Sequence, residues 1–95
     1  MLFVIHAVDK QGALDKRLAH YDAHKAFLSD PSQFGVRIEM SGPLTADDGL
    51  TMIGSLFLVE APDRAAVERF NGADPFHHAG IWERVTITGF IRRQG

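Results

Sequence analysis

Five histidines and the second of two Asp-Pro steps carry most of the chemistry available to this chain. This step lies in the run Ala73-Asp74-Pro75-Phe76-His77-His78-Ala79-Gly80. Asp74 can accept the free backbone N–H groups of a short helical turn, and Pro75 suits the first helical position, where its missing N–H is not needed. His24 comes much earlier, on a segment with helical periodicity. An imidazole takes or gives a proton near neutral pH, and a carboxylate beside it would orient the ring. If His24 and Asp74 meet, they form an acid/base pair. If they do not, they read as a helix-border histidine and a helix cap.

The other polar residues are weaker candidates. His20 and His24 stand at i, i+4, a spacing that suits two ligands of one metal. No third ligand converges on them, and no Glu lies between them as in metalloproteases, so no metal is expected. His77 and His78 are adjacent and would point about 100° apart in a helical turn. Arg17, on the same side of the helix as His24, reads as an anion-binding group or as a solvated arginine. Ser41 precedes Gly42-Pro43 without a nucleophile elbow around it. It reads as a hydrogen-bonding or pocket-lining residue, or as a plain turn serine. His6 lies on a strand and lines a cavity only if its sheet face is enclosed. The glycines form no phosphate loop and no flavin or nicotinamide fingerprint, so no cofactor is expected.

A chain of 95 residues with 45% apolar content reads as one domain, residues 1–95. Its net charge of −2 and pI near 6.2 give no case for nucleic-acid binding. The absence of cysteine removes disulfides, thiolate metal sites and cysteine nucleophiles. The apolar run Met1–Ile5 is too short for a signal or membrane segment, and a cytoplasmic location is expected.

Strand patterns cover Leu2–Val8, Phe34–Ser41 (closed by Gly42-Pro43), Met52–Glu60 and Ile81–Ile91. A helix pattern covers Asp15–Ser29, with Leu14, Leu18, Tyr21 and Leu28 as its apolar side. A second helix opens at Pro62-Asp63 and ends at Asn71-Gly72. The order is βαββαβ, that of ferredoxin-like α+β domains with an antiparallel four-stranded sheet. In the last strand Trp82 and Phe90 alternate with Ile81, Val85, Ile87 and Ile91, so both faces carry large apolar groups. A second copy of the chain is the simplest cover for the face without helices, which points to a homodimer.

Met1–Ile5, Asp15-Lys16-Arg17-Leu18 with Ala23-His24, Ser41-Gly42-Pro43, and Ala73-Asp74-Pro75-Phe76 with Ala79-Gly80 together resemble the YciI-like (YCII-related) family in order and spacing. The resemblance runs nearly the whole chain. It implies a dimeric α+β barrel of ferredoxin-like subunits and a His/Asp pair in a pocket, here His24 and Asp74. Ser41, Gly42, Pro43, Arg17 and His6 become candidate ligand-binding residues. One relative in the family is a dehydrochlorinase acting on a chlorinated hydroxyhydroquinone. The chain departs from the common pattern at His6 and at His77-His78. The resulting expectation is a small enzyme doing acid/base chemistry (elimination, isomerisation or hydrolysis) on a small cyclic or aromatic molecule. The alternatives are a non-catalytic ligand-binding or regulatory dimer and a dimeric-barrel monooxygenase.

Overall fold

The computed structural model describes residues 1–95. The elements in chain order are β1 (Leu2–Asp9), α1 (Leu14–Ala19), α2 (Tyr21–Leu28), β2 (Arg37–Thr45), β3 (Met52–Glu60), α3 (Arg64–Gly72), α4 (Pro75–His78) and β4 (Trp82–Phe90), with a 3₁₀ turn at Pro31–Phe34. The strands form one four-stranded sheet in the order β2-β3-β1-β4. Every neighbouring pair is antiparallel. The fold class is thus the ferredoxin-like α+β arrangement expected from the sequence.

Period-two alternation puts Phe3, Ile5 and Ala7 of β1 on the helix side, with Phe57 and Val59 of β3 beside them. Val67 and Phe70 of α3 and Phe76 of α4 close the core above them. Asp63 caps α3 by accepting the Ala66 N–H at 2.9 Å. At Gly54 the sheet tolerates no side chain: a Cβ there would lie 2.3 Å from the Ala7 carbonyl oxygen. The absent side chain lets β1 and β3 approach closely beside Ser55.

Three sequence expectations need correction. The helix expected over Asp15–Ser29 is broken at His20, whose φ of −103° and ψ of 7° end α1 before α2 begins. Its inward side is also different. Arg17 and His24 are buried, while Leu14, Leu18 and Tyr21 are exposed and only Leu28 of that stripe is half-buried. Partnered polar groups have taken the inward positions. Second, Phe34 belongs to the 3₁₀ turn, and β2 runs through Gly42-Pro43 to Thr45 instead of stopping there. Pro43 is tolerated because β2 is an edge strand and has hydrogen-bonding needs on one side only. Third, a register slip between Val8 and Asp9 sets Arg84 opposite Val8 but Trp82 opposite Asp9. Trp82 therefore turns into the core, leaving Phe90 as the large apolar group of β4 on the helix-free face. That face draws its other apolar residues from the neighbouring strands: Leu2, Val4 and Val8 of β1, Leu56 and Leu58 of β3, and Met40 of β2.

Candidate active site

Asp74 is the N-cap of α4. Its backbone is extended (φ −65°, ψ 133°), and its Oδ1 accepts the Phe76 N–H at 2.8 Å. The same oxygen lies 2.8 Å from Nδ1 of His24 on α2. His24 is 7% exposed and Asp74 1%. A carboxylate only accepts, so the contact puts a proton on Nδ1 and leaves Nε2 free to take or give one. The cap and the histidine partner, which the sequence left as alternatives for Asp74, are served together by one oxygen.

The imidazole is also held flat. It stacks on Phe76 with ring centroids 3.9 Å apart and planes 4° apart, and the Phe57 ring meets it edge-on at 6.1 Å. The Arg17 guanidinium sits 4.7 Å from the centroid of the same Phe76 ring. Arg17 is not the solvated arginine that was one sequence reading, and it lines the cavity described below. It is 2% exposed. Nε donates to Asp9 Oδ2 at 2.7 Å, and Nη2 donates to Asp9 Oδ1 at 2.9 Å and to the Ser55 hydroxyl at 2.7 Å. This two-pronged pairing is a strong geometry for an arginine and a carboxylate.

A cavity of about 250 Å³ opens beside the pair. The helices contribute Arg17, Tyr21, His24, Lys25 and Leu28, β2 contributes Ser41, Gly42 and Pro43, and β3 contributes Met52, Ser55 and Phe57. The volume falls below the roughly 300–1,000 Å³ typical of drug-sized ligands, which suits a molecule of one ring. His24, Arg17, Ser41, Gly42 and Pro43 thus come together, with Asp74 directly behind His24. His6 does not join them. It alternates with the inward Ile5 and Ala7 and lies exposed on the helix-free face, so the sheet separates it from this cavity. His20 turns its Nδ1 to the Lys16 carbonyl at 2.9 Å, and His77 and His78 are exposed on α4. No cluster of three or more His, Cys, Asp or Glu side chains is assembled as a metal site.

Sequence reasoning missed Ser55, Asp9 and Phe76. Ser55 carried a signal: it is a small polar residue inside the otherwise apolar strand Met52–Val59. Asp9 read as a turn residue and carried none.

The fold and this buried imidazole–carboxylate pair define a ferredoxin-like α+β domain with a small ligand-sized cavity between its helices and its sheet. The model of the YCII-related domain matches residues 1–91. The chain belongs to that family. Protein YciI of Escherichia coli O6:H1 is 36% identical over 97 residues, covering 95% of this chain and 96% of that one, and Protein YciI of Shigella flexneri matches equally. Among solved structures, 5-chloro-2-hydroxyhydroquinone dehydrochlorinase (TftG) from Burkholderia phenoliruptrix AC1100, in complex with 2,5-dihydroxybenzoquinone, superimposes with a TM-score of 0.83. It is 32% identical, over 96% of this chain and 94% of that one. An antibiotic biosynthesis monooxygenase shares the fold at a TM-score of 0.52 and 19% identity, over 97% of this chain and all of that one.

Proposed function

We propose that the chain is an enzyme that moves a proton on a small hydroxylated ring, with His24 as general acid/base and Asp74 as its orienting partner. The observation that carries this is the buried Nδ1–Oδ1 contact, which leaves Nε2 to a molecule in the cavity. The cavity's size and the similarity to a dehydrochlorinase that binds 2,5-dihydroxybenzoquinone support hydroxylated quinones and hydroquinones as the substrate class. In this chemistry Nε2 accepts a ring hydroxyl proton as a ring carbonyl forms and returns it to a ring carbon, which tautomerises the ring; where that carbon carries chlorine, removal of a second hydroxyl proton then expels chloride. The test is turnover of chlorinated and unchlorinated hydroxyhydroquinones, followed by chloride release and ultraviolet spectra. The wild-type chain should turn over at least one, and His24→Ala should lose about 10²–10⁴-fold in rate. Binding without turnover by the wild-type chain would favour a ligand-binding module instead.

The same reading includes a homodimer formed through the helix-free sheet face, supported by the apolar side chains that β1, β2 and β3 leave there. Sedimentation equilibrium should give a dimer at micromolar concentration, and a monomer would refute this part. A stable interface of this kind buries on the order of 1,500 Å² in total.

A further inference from the structure

We propose that Lys25 selects the substrate by charge: its ammonium pairs with an anionic oxygen on the ring, either a carboxylate substituent or an ionised ring hydroxyl. This rests on the reading of the cavity as a site for a small hydroxylated ring, and it narrows that class to rings that carry a negative charge.

The face that α2 turns to the cavity is Tyr21, His24, Lys25 and Leu28, at i, i+3, i+4 and i+7. Lys25 breaks the apolar pattern of that stripe, and no carboxylate in the chain answers its charge. It belongs to none of the four ion pairs. Asp22, one helical turn before it, is not its partner. What Lys25 meets instead is the Tyr21 ring, whose centroid lies 5.4 Å from Nζ. A ring face attracts an ammonium without occupying its three N–H donors. The side chain is therefore held beside another lining residue with its donors available to a ligand.

The charge of the cavity wall points the same way. The chain has twelve Asp and Glu residues against ten Lys and Arg, yet none of the twelve lines the cavity, whereas Arg17 and Lys25 both do. Asp9 and Asp74 hold Arg17 and His24 without joining the lining. A recess lined by one sign of charge attracts the opposite sign. Arg17 is buried and bonded twice to Asp9, while Lys25 is exposed and unpaired, so Lys25 is the cation that an entering anion meets without displacing a partner. His24 and Lys25 line one cavity of about 250 Å³, small enough for one ring to meet both. Leu28 and Phe57 give that ring an apolar wall.

The test uses three probes. 2,5-Dihydroxybenzoate and hydroquinone differ by one carboxylate, and 2,5-dihydroxybenzoquinone carries hydroxyls that are vinylogous acids and ionise without one. Isothermal titration calorimetry is run on the wild-type chain and on Lys25→Met, Lys25→Arg and Lys25→Glu. Lys25→Met keeps the stem beside Tyr21 and removes the charge. It should weaken binding of an anionic ring about three- to tenfold, between a screened surface pair and a charged hydrogen bond, and leave hydroquinone unchanged. Lys25→Arg should stay within a few-fold of wild type, and Lys25→Glu should lose more than Lys25→Met. Raising salt from about 0.05 to about 0.5 M should shrink the wild-type preference for the anionic ring but not that of Lys25→Met. A loss confined to 2,5-dihydroxybenzoate assigns the carboxylate as the group that Lys25 holds, and a loss confined to the quinone assigns the ionised hydroxyl. In the turnover assay Lys25→Met should act on KM, where His24→Ala acts on kcat. Unchanged binding of both anionic rings by Lys25→Met, or equal losses for anionic and neutral rings, overturns the assignment alone. A wild-type chain that prefers anionic rings through Lys25 yet turns none over refutes the acid/base reading and keeps the assignment. A wild-type chain that binds none of the three rings overturns the substrate class and the assignment together.

Discussion

Asp74 can be separated into its two roles by a pair of substitutions. Asp74→Ala removes Oδ1, which accepts both the Phe76 N–H and the His24 Nδ1–H. Loss of a helix cap costs about 1 kcal/mol, and a buried donor left unpartnered costs about 1–3 kcal/mol. The sum is about 2–4 kcal/mol. In a domain of this size each kcal/mol shifts Tm by about 4–8 °C, so the melting point should fall by roughly 10–30 °C. Asp74→Asn presents an amide oxygen where Oδ1 stands, and that oxygen can take both bonds. Stability should therefore stay within about 1 kcal/mol of wild type. The negative charge beside the imidazole is gone, and turnover should fall by about 10²–10⁴-fold. Urea and thermal melts of the three proteins, read beside their turnover rates, make the comparison. Equal destabilisation by Asn and Ala would refute the shared-oxygen account, and wild-type turnover in Asp74→Asn would reduce Asp74 to a cap.

Three further outcomes follow from other parts of the molecule. Arg17→Met leaves the buried Asp9 carboxylate without its partner and should cost about 3–5 kcal/mol in a urea melt, with less than 1 kcal/mol refuting the ion pair's role. Gly54→Ala forces a Cβ against the Ala7 carbonyl oxygen and should destabilise the sheet by about 2 kcal/mol or more, whereas a neutral effect would mean that β1 and β3 part without cost. In the turn between β2 and β3, the Thr51 hydroxyl, and after it the Leu50 and Thr51 N–H groups, hold the Asp48 carboxyl down at about 2. Because its folded value is lowered, its stabilising contribution is present above the ordinary carboxylate value near ~4 and is lost as pH falls from there toward about 2. Carbon-13 NMR titration of Asp48 checks this, and a midpoint near ~4 would refute it.

The alternation of Phe3, Ile5 and Ala7 and the turn residues between segments made the sheet legible, and with it the element order. Asp74-Pro75 made the short helix legible, because a cap and an N1 proline act locally. The faces of the first helix were not legible. Leu14, Leu18 and Tyr21 look like a core stripe, but Arg17 and His24 hold the inward positions through partners on β1 and α4. No periodicity in the helix reveals such partners, since hydropathy treats a paired arginine and a free one alike. Trp82 was misplaced for a similar reason: one slip in register reverses the side of the sheet a residue faces. On residues alone, Asp74 and His24 were two ordinary groups, and only the packing of α2 against α4 turns them into a pair.

The bond between His24 and Asp74 joins positions 50 residues apart, and that between Arg17 and Ser55 joins positions 38 apart. Neither forms within one segment, so the geometry of the cavity depends on long-range docking and on the entropy of closing those loops. The short helix α4, four residues long, is held by its cap and by the buried Phe76. If α4 lifts away, the imidazole loses its carboxylate and its stacking partner at once, while the sheet can stay whole. The Phe76 amide is bonded to the very oxygen that holds His24, so its hydrogen-exchange rate counts how often the imidazole–carboxylate pair comes apart in the native protein.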